Sequence, residues 1–205
     1  MADTICGKAE CGKQIAKLTL PDGSVLDLPV LVPNLGAPCI DVRSLQSHGY
    51  YTFDPGFTST ASCSSSISYI DGAAGLLMHR GYRIEDLAAH CSYLEVCYLL
   101  LNGELPTGEE LTAFQDGVLS HMMLHEKLRK FFDGFKDGAH PMSIMVGVVG
   151  SLSAFYAGNG TGDTADDHAL TTLRVIAKLP TIAAMAYKQS VGQVRTQNYL
   201  PSLSC

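Results

Sequence analysis

The chain has 205 residues, 46% of them hydrophobic and 17% charged, with a formal net charge of −6. That length gives one domain or one and a half, and the mild acidity argues against nucleic-acid or anionic-membrane binding. Seven cysteines, an odd number without a CxxC pair, exclude a zinc ribbon or dithiol redox motif and read as reduced, mostly buried thiols.

The first dozen residues read as a loose terminus. MADTICGKAECGK has no charged region leading into an apolar one, as a secretory signal would, and its lack of Arg is unlike a mitochondrial presequence. A cytoplasmic location is expected. From Ala16 to Val32, apolar alternation on both sides of Pro21-Asp22-Gly23 predicts a β-hairpin. Pro33 to Gly36 is a further turn, and CIDVRSL is a short strand or a helix start. After the aromatic Tyr50–Phe57 stretch and a Ser/Thr-rich loop, SYIDGAAGLLMHRGY reads as a second hairpin with Asp71-Gly72 as its tight turn.

The period becomes helical from Ile84. Ser92 with Glu95, and Thr107 with Glu110, are capping boxes that open two helices. The first ends at Asn102-Gly103, and the second runs past Leu119 through Gly117. Glu126 to Phe135 is a short amphipathic helix ended by Gly134 or Gly138. Pro141 then opens HPMSIMVGVVGSLSAFY, whose uncharged, small or apolar residues predict a helix that needs burial on all sides, which a chain of this size has trouble covering by itself. It is a poor membrane span. A glycine-rich loop, AGNGTGDTADD, follows. Ala165 to Lys178 is one more helix, and Pro180 starts another. The fold class is mainly α, with a small N-terminal β segment. The expected division is a flexible terminus over 1–15, a β-rich segment over 16–82, part of a helical domain over 83–193 and a divergent tail over 194–205.

FDPGFTSTASC, IDG-x-x-GLL-x-HRGY, YLEVCYLLLNGELPT, AHPM, GSLSAFY and AKLPTIAAMAYK together resemble citrate synthase, in order and spacing, across about Lys17 to Gln193. The resemblance implies the first helices of that family's large helical domain. It also implies an acyltransferase of the tricarboxylic acid cycle that joins acetyl-CoA to oxaloacetate to give citrate. The N-terminal β segment is similar to the hexameric bacterial type, which favours citrate over methylcitrate and implies a homo-oligomer with the Pro141–Tyr156 and Pro180–Gln193 helices at a dimer interface. The family's catalytic histidines, aspartate and citrate-binding arginines match nothing up to Gln193, so no catalytic residue carries over. The chain alone is expected to be inactive, the alternative being a non-catalytic fragment that associates with full-length subunits or is unstable. No cofactor, metal, nucleic acid or membrane is implied.

By resemblance, His121, Met123, Tyr156, Arg174 and Lys178 match contributors to an allosteric NADH site, with Ser120 and Met122 departing from the pattern. Arg174 and Lys178, one turn apart, suit a phosphate; the alternative is an ordinary solvated face. His121 and His125 are spaced like a metal pair but lack a third ligand, so helix-end or packing roles are the default. His140 is either near an anion at a helix N-terminus or a buried structural histidine donating to a carbonyl. Arg80 and Arg83, beside Glu85 and Asp86, read as local ion pairs. Cys63 and Cys97 read as packing residues.

Overall fold

The computed structural model of the chain describes residues 14–156 and 165–193. Most of the loose terminus, most of the glycine-rich loop and the divergent tail lie outside them. The chain forms two compact units, Met1–Cys91 and Ser92–Cys205. The fold is mainly α, with its strands confined to the first unit.

In the first unit, β1 (Ile15–Thr19) pairs antiparallel with β2 (Val25–Leu31), and β2 pairs with β3 (Cys39–Ile40). The β1–β2 turn closes where predicted: Gly23 takes a positive φ of 86°, and Asp22 Oδ1 accepts the Ser24 N–H and hydroxyl. CIDVRSL is both of the things expected, a short strand followed by a 3-10 turn over Arg43–His48. A second sheet orders β4 (Ser68–Asp71), β5 (Leu76–His79) and β6 (Tyr82–Arg83). Its hairpin is not the two-residue turn expected at Asp71-Gly72. Asp71 pairs with Leu76, leaving residues 72–75 as the loop, and Asp71 Oδ1 accepts the N–H groups of Ala73 and Ala74. The carboxylate supplies the turn's hydrogen bonds, so the longer loop is stable. Helix α1 (Ile84–His90) completes the unit.

Among the described residues the second unit has five α-helices: α2 (Tyr93–Asn102), α3 (Gly108–Ser120), α4 (Glu126–Phe131), α5 (Pro141–Tyr156) and α6 (Ala165–Ser190). Both capping boxes form. The Ser92 N–H donates to Glu95 at 2.7 Å and the Thr107 N–H to Glu110 at 2.8 Å. Gly103 closes α2 in the left-handed conformation, at φ 98°. Gly117 does not interrupt α3; it lets α6 approach, because a Cβ there would stand 3.3 Å from Leu173. The helix predicted over Glu126–Phe135 is shorter: α4 passes at Phe131 into a single 3-10 turn, Phe132–Gly134.

Ile144, Val148 and Leu152 of α5, spaced four apart, pack with Ile182, Met185 and Ala186 of α6 and with Leu128 and Phe132 in the main core. That stripe of α5 is fully covered, and Met145, Val149, Phe155 and Tyr156 beside it are partly covered. Val146 is 71% exposed and Met142 56%, so the single chain leaves this apolar helix partly uncovered, as its length leads one to expect. The described residues present too little surface to wrap a helix that is apolar all round.

The two helices predicted on either side of Pro180 are one. Pro180 cannot donate to the Ile176 carbonyl, a defect worth roughly 3 kcal/mol in a free helix. Around it Ala177, Lys178 and Ile182 are all buried, and tertiary contacts hold the helix through the break. Asp167–Ser190 is also long and apolar enough to cross a membrane, a test that core helices pass too.

Two predictions follow from the helix ends and the glycines. Hydrogen bonds from their cap residues hold the Glu95 and Glu110 carboxyls below their usual range. A depressed carboxyl contributes stability in full above its unfolded value and loses it as pH falls through the folded one. Stability against urea should therefore fall on acidification, and less so in Glu95→Gln, whose amide oxygen still accepts the Ser92 N–H. In α5, Gly150 has nothing within 4 Å of an added Cβ, whereas one at Gly147 meets Phe135 at 3.0 Å. Gly150→Ala should raise stability by about 1 kcal/mol, and Gly147→Ala should fall short of it in the same titration.

Candidate functional site: two cations over Tyr156

The site is built where α3 ends. Its cap residue His121 brings Nδ1 within 2.8 Å of the Gly117 carbonyl, which requires the proton on that nitrogen. The chain then runs through Met122, Met123 and Leu124 to His125, whose Nδ1 accepts the Lys127 N–H at 3.1 Å and caps α4. This turn has three outward carbonyls and one amide to satisfy, and α5 and α6 satisfy them.

Lys178, 3% exposed, donates from Nζ to the carbonyls of His121 and Met123, each at 2.6 Å. Thr181 Oγ1 donates to the Met122 carbonyl at 3.3 Å. The hydroxyl of Tyr156, the last residue of α5, accepts the His125 N–H at 3.1 Å. The Tyr156 ring lies under both cations: Lys178 Nζ is 4.5 Å from its centroid and Arg174 Cζ 5.6 Å. Arg174 Nη1 also donates to the Tyr156 carbonyl at 3.4 Å.

Burial pushes the Lys178 ammonium's pKa down, and Arg174 one turn away adds to the effect. The opposing interactions are two charged hydrogen bonds, each worth about 1.5–3 kcal/mol, and a cation–π contact worth about 0.5–2 kcal/mol. Among the described residues, neither cation has an ion-pair partner.

All five residues expected at one site therefore converge. The solvated-face alternative for Arg174 and Lys178 is overturned, because Lys178 is buried against backbone carbonyls. His121 and Met123 take part through main-chain oxygens, and Met123 is 51% exposed. Thr181 and His125 belong to the same network and were not expected. The available signal was one Lys within the apolar run VIAKLPTIAA, which must be paired if that run is a core face.

His121 and His125 take helix-end roles, and no group of three metal-ligating side chains occurs among the described residues. His140 is exposed, and its Nδ1 accepts the Met142 N–H at 3.2 Å. It is thus a cap for α5, neither buried nor a donor to a carbonyl. Arg83 and Glu85 approach to 3.7 Å with both side chains more than half exposed, a pair of little worth. No disulfide joins Cys39, Cys63, Cys91 or Cys97, and none of the four is buried as expected: Cys63 lies exposed in the serine-rich loop and the others are half-buried. An open cavity of about 640 Å³ between α4 and the end of α6 is lined by Glu126, Arg129, Lys130, Asp133 and Gln189 among others. Gln189 reaches the Phe135 carbonyl there at 3.3 Å.

Tyr156 separates two contributions. Tyr156→Phe keeps the ring under the cations but orphans the His125 N–H, and should lower unfolding stability by about 1 kcal/mol. Tyr156→Leu removes both and should cost about 1–2 kcal/mol more. Equal losses in urea titrations would show that the ring contributes nothing.

The family model described as "Citrate synthase, C-terminal domain" matches residues 56–204, which takes in most of the tail set apart above as divergent. The citrate synthase of Pyrobaculum aerophilum is 31% identical, with a TM-score of 0.56 over 80% of this chain and 39% of its own. The citrate synthase of Thermotoga maritima MSB8 is 26% identical, with a TM-score of 0.59 over 70% and 36%. A third solved structure is a citrate synthase of Thermoplasma acidophilum in a ternary complex with carboxymethyl coenzyme A and oxaloacetate. It is 19% identical, with a TM-score of 0.61 over 67% and 36%, and bears on fold alone. The chain thus spans little more than a third of the length of these solved chains. With the family model covering more than half of its residues, the chain belongs to the citrate synthase family.

Proposed function

We propose that this chain contributes the β-rich segment and first large-domain helices of an enzyme that condenses acetyl-CoA with oxaloacetate to give citrate and CoA. The observation that carries this reading is the family match over residues 56–204, joined to the helical fold it shares with solved citrate synthases. The N-terminal β segment supports the hexameric bacterial type, and a cytoplasmic location is part of the same proposal.

The condensation needs a base to take a proton from the acetyl methyl group. It also needs donors that stabilise the resulting enolate and polarise the oxaloacetate carbonyl, and cations that hold the carboxylates. No catalytic position of the family matches a residue up to Gln193. In this reading the 205 residues are scaffold, and turnover requires residues of the family's catalytic half. A thiol-release assay with acetyl-CoA and oxaloacetate tests this directly. The purified 205-residue chain should release no CoA above background, and measurable citrate formation would overturn the scaffold reading while leaving the family activity standing.

The uncovered face of α5 supports the association part of the reading. Met142 and Val146 place large apolar side chains in solvent, and such surface favours burial by about 25 cal/mol per Å². A homo-oligomer, or pairing with a full-length subunit, is the proposed state. Val146→Lys should leave monomer stability within about 0.5 kcal/mol while lowering the sedimentation coefficient at micromolar concentration. An unchanged, monomeric wild type would contradict it.

The cluster of His121, Met123, Tyr156, Arg174 and Lys178 is proposed as a regulatory site for NADH. Support comes from the convergence of these five residues and from two cations without an acidic partner among the described residues.

A further inference from the structure

Lys178 has three N–H bonds, and its surroundings occupy it. Two directions are taken by the carbonyls of His121 and Met123 at 2.6 Å, and the ammonium stands 4.5 Å over the Tyr156 ring. An ammonium held this way is already engaged by the protein itself. It holds the connection between α3 and α4, assisted by Thr181 on the Met122 carbonyl and by the Tyr156 hydroxyl on the His125 amide. Arg174 has a single donor contact of 3.4 Å to the Tyr156 carbonyl and is half-buried, so it is the more available cation.

We propose that Lys178 is a latch: with the site empty it pins residues 121–125 to α6, and an anionic ligand captured by Arg174 competes for its ammonium and releases that connection. The competition rests on the nucleotide-site reading above; the latch itself does not. Two like charges share one ring without an acidic partner among the described residues, so an anion between Arg174 and Lys178 relieves their repulsion and pulls Nζ from the two carbonyls. Releasing it leaves three connection carbonyls held only by Thr181 or water. The ligand then favours an open connection by the difference in its affinity for the two arrangements.

Amide hydrogen exchange on the full 205-residue chain tests both parts. Lys178→Met, of similar length but without donors, should speed exchange over residues 121–128 by at least about tenfold, the loss expected for one charged hydrogen bond. Exchange over α2 should stay unchanged. Thr181→Val, a milder change that keeps the fold should Lys178→Met fail to fold, should speed the same segment by a smaller factor. Unchanged exchange there in both variants, or a uniform rise across α2 to α6, overturns the latch. For the competition, saturating NADH should speed exchange over 121–128 in the wild type and add nothing in Lys178→Met. Slower exchange with NADH overturns the competition, because Lys178 would then be a ligand gained without release. If NADH does not bind at all, the nucleotide-site reading fails and the competition with it, while the variants still decide the latch. Arg174→Gln should weaken NADH binding and leave the empty protein's exchange as in wild type; faster exchange there would assign the latch to Arg174.

Discussion

The second unit depends on the contact between α5 and α6. Ile144, Val148 and Leu152 form a narrow stripe on a helix with no charge to solvate, and Ile182, Met185 and Ala186 are the surface that meets it. Everything else in the unit is placed by that pair. α4 and its 3-10 turn close one side with Leu128 and Phe132. α3 lies on α6 through the gap that Gly117 leaves for Leu173. The α3–α4 connection is tied to both helices, by Tyr156 from α5 and by Lys178 and Thr181 from α6. The polar network is thus a consequence of the apolar one: it forms where two packed helices bring their donors to one turn.

This order explains why a lysine is tolerated in the interior. A buried ammonium without partners would be expelled or lose its proton. Here the neighbouring turn ends a helix, and helix ends carry carbonyls without partners of their own. Lys178 and the turn resolve each other's deficits, and the aromatic face of Tyr156 takes the remaining side of the charge.

What was legible in the sequence was mostly local. The capping boxes at Ser92 and Thr107, the Gly103 stop and the Pro21-Asp22-Gly23 turn are decided within a few residues, and each stands as read. The misreadings occur where distant residues decide. Pro180 breaks a helix by local rules, yet tertiary anchoring carries α6 through it. The need of α5 for cover was legible in its sequence, as was the difficulty of meeting it within one chain, and Met142 and Val146 stand exposed. Asp71 had the residue type of a tight turn, while strand register made the loop longer. The five site residues were found by resemblance, and the spacing of Arg174 and Lys178 alone did not distinguish a solvated face from a buried latch. That distinction lay in residues more than fifty positions away, at His121 and Met123.

Pro180 also bears on how α6 comes to be one helix. Helices grow by adding one hydrogen bond per residue to an existing nucleus, and a missing N–H interrupts that growth. Growth through Pro180 without tertiary contacts therefore costs roughly 3 kcal/mol, which the packing of Ala177, Lys178 and Ile182 around it offsets in the folded unit. Continuity of α6 becomes a report on tertiary assembly, and helix content should rise together with native packing rather than ahead of it.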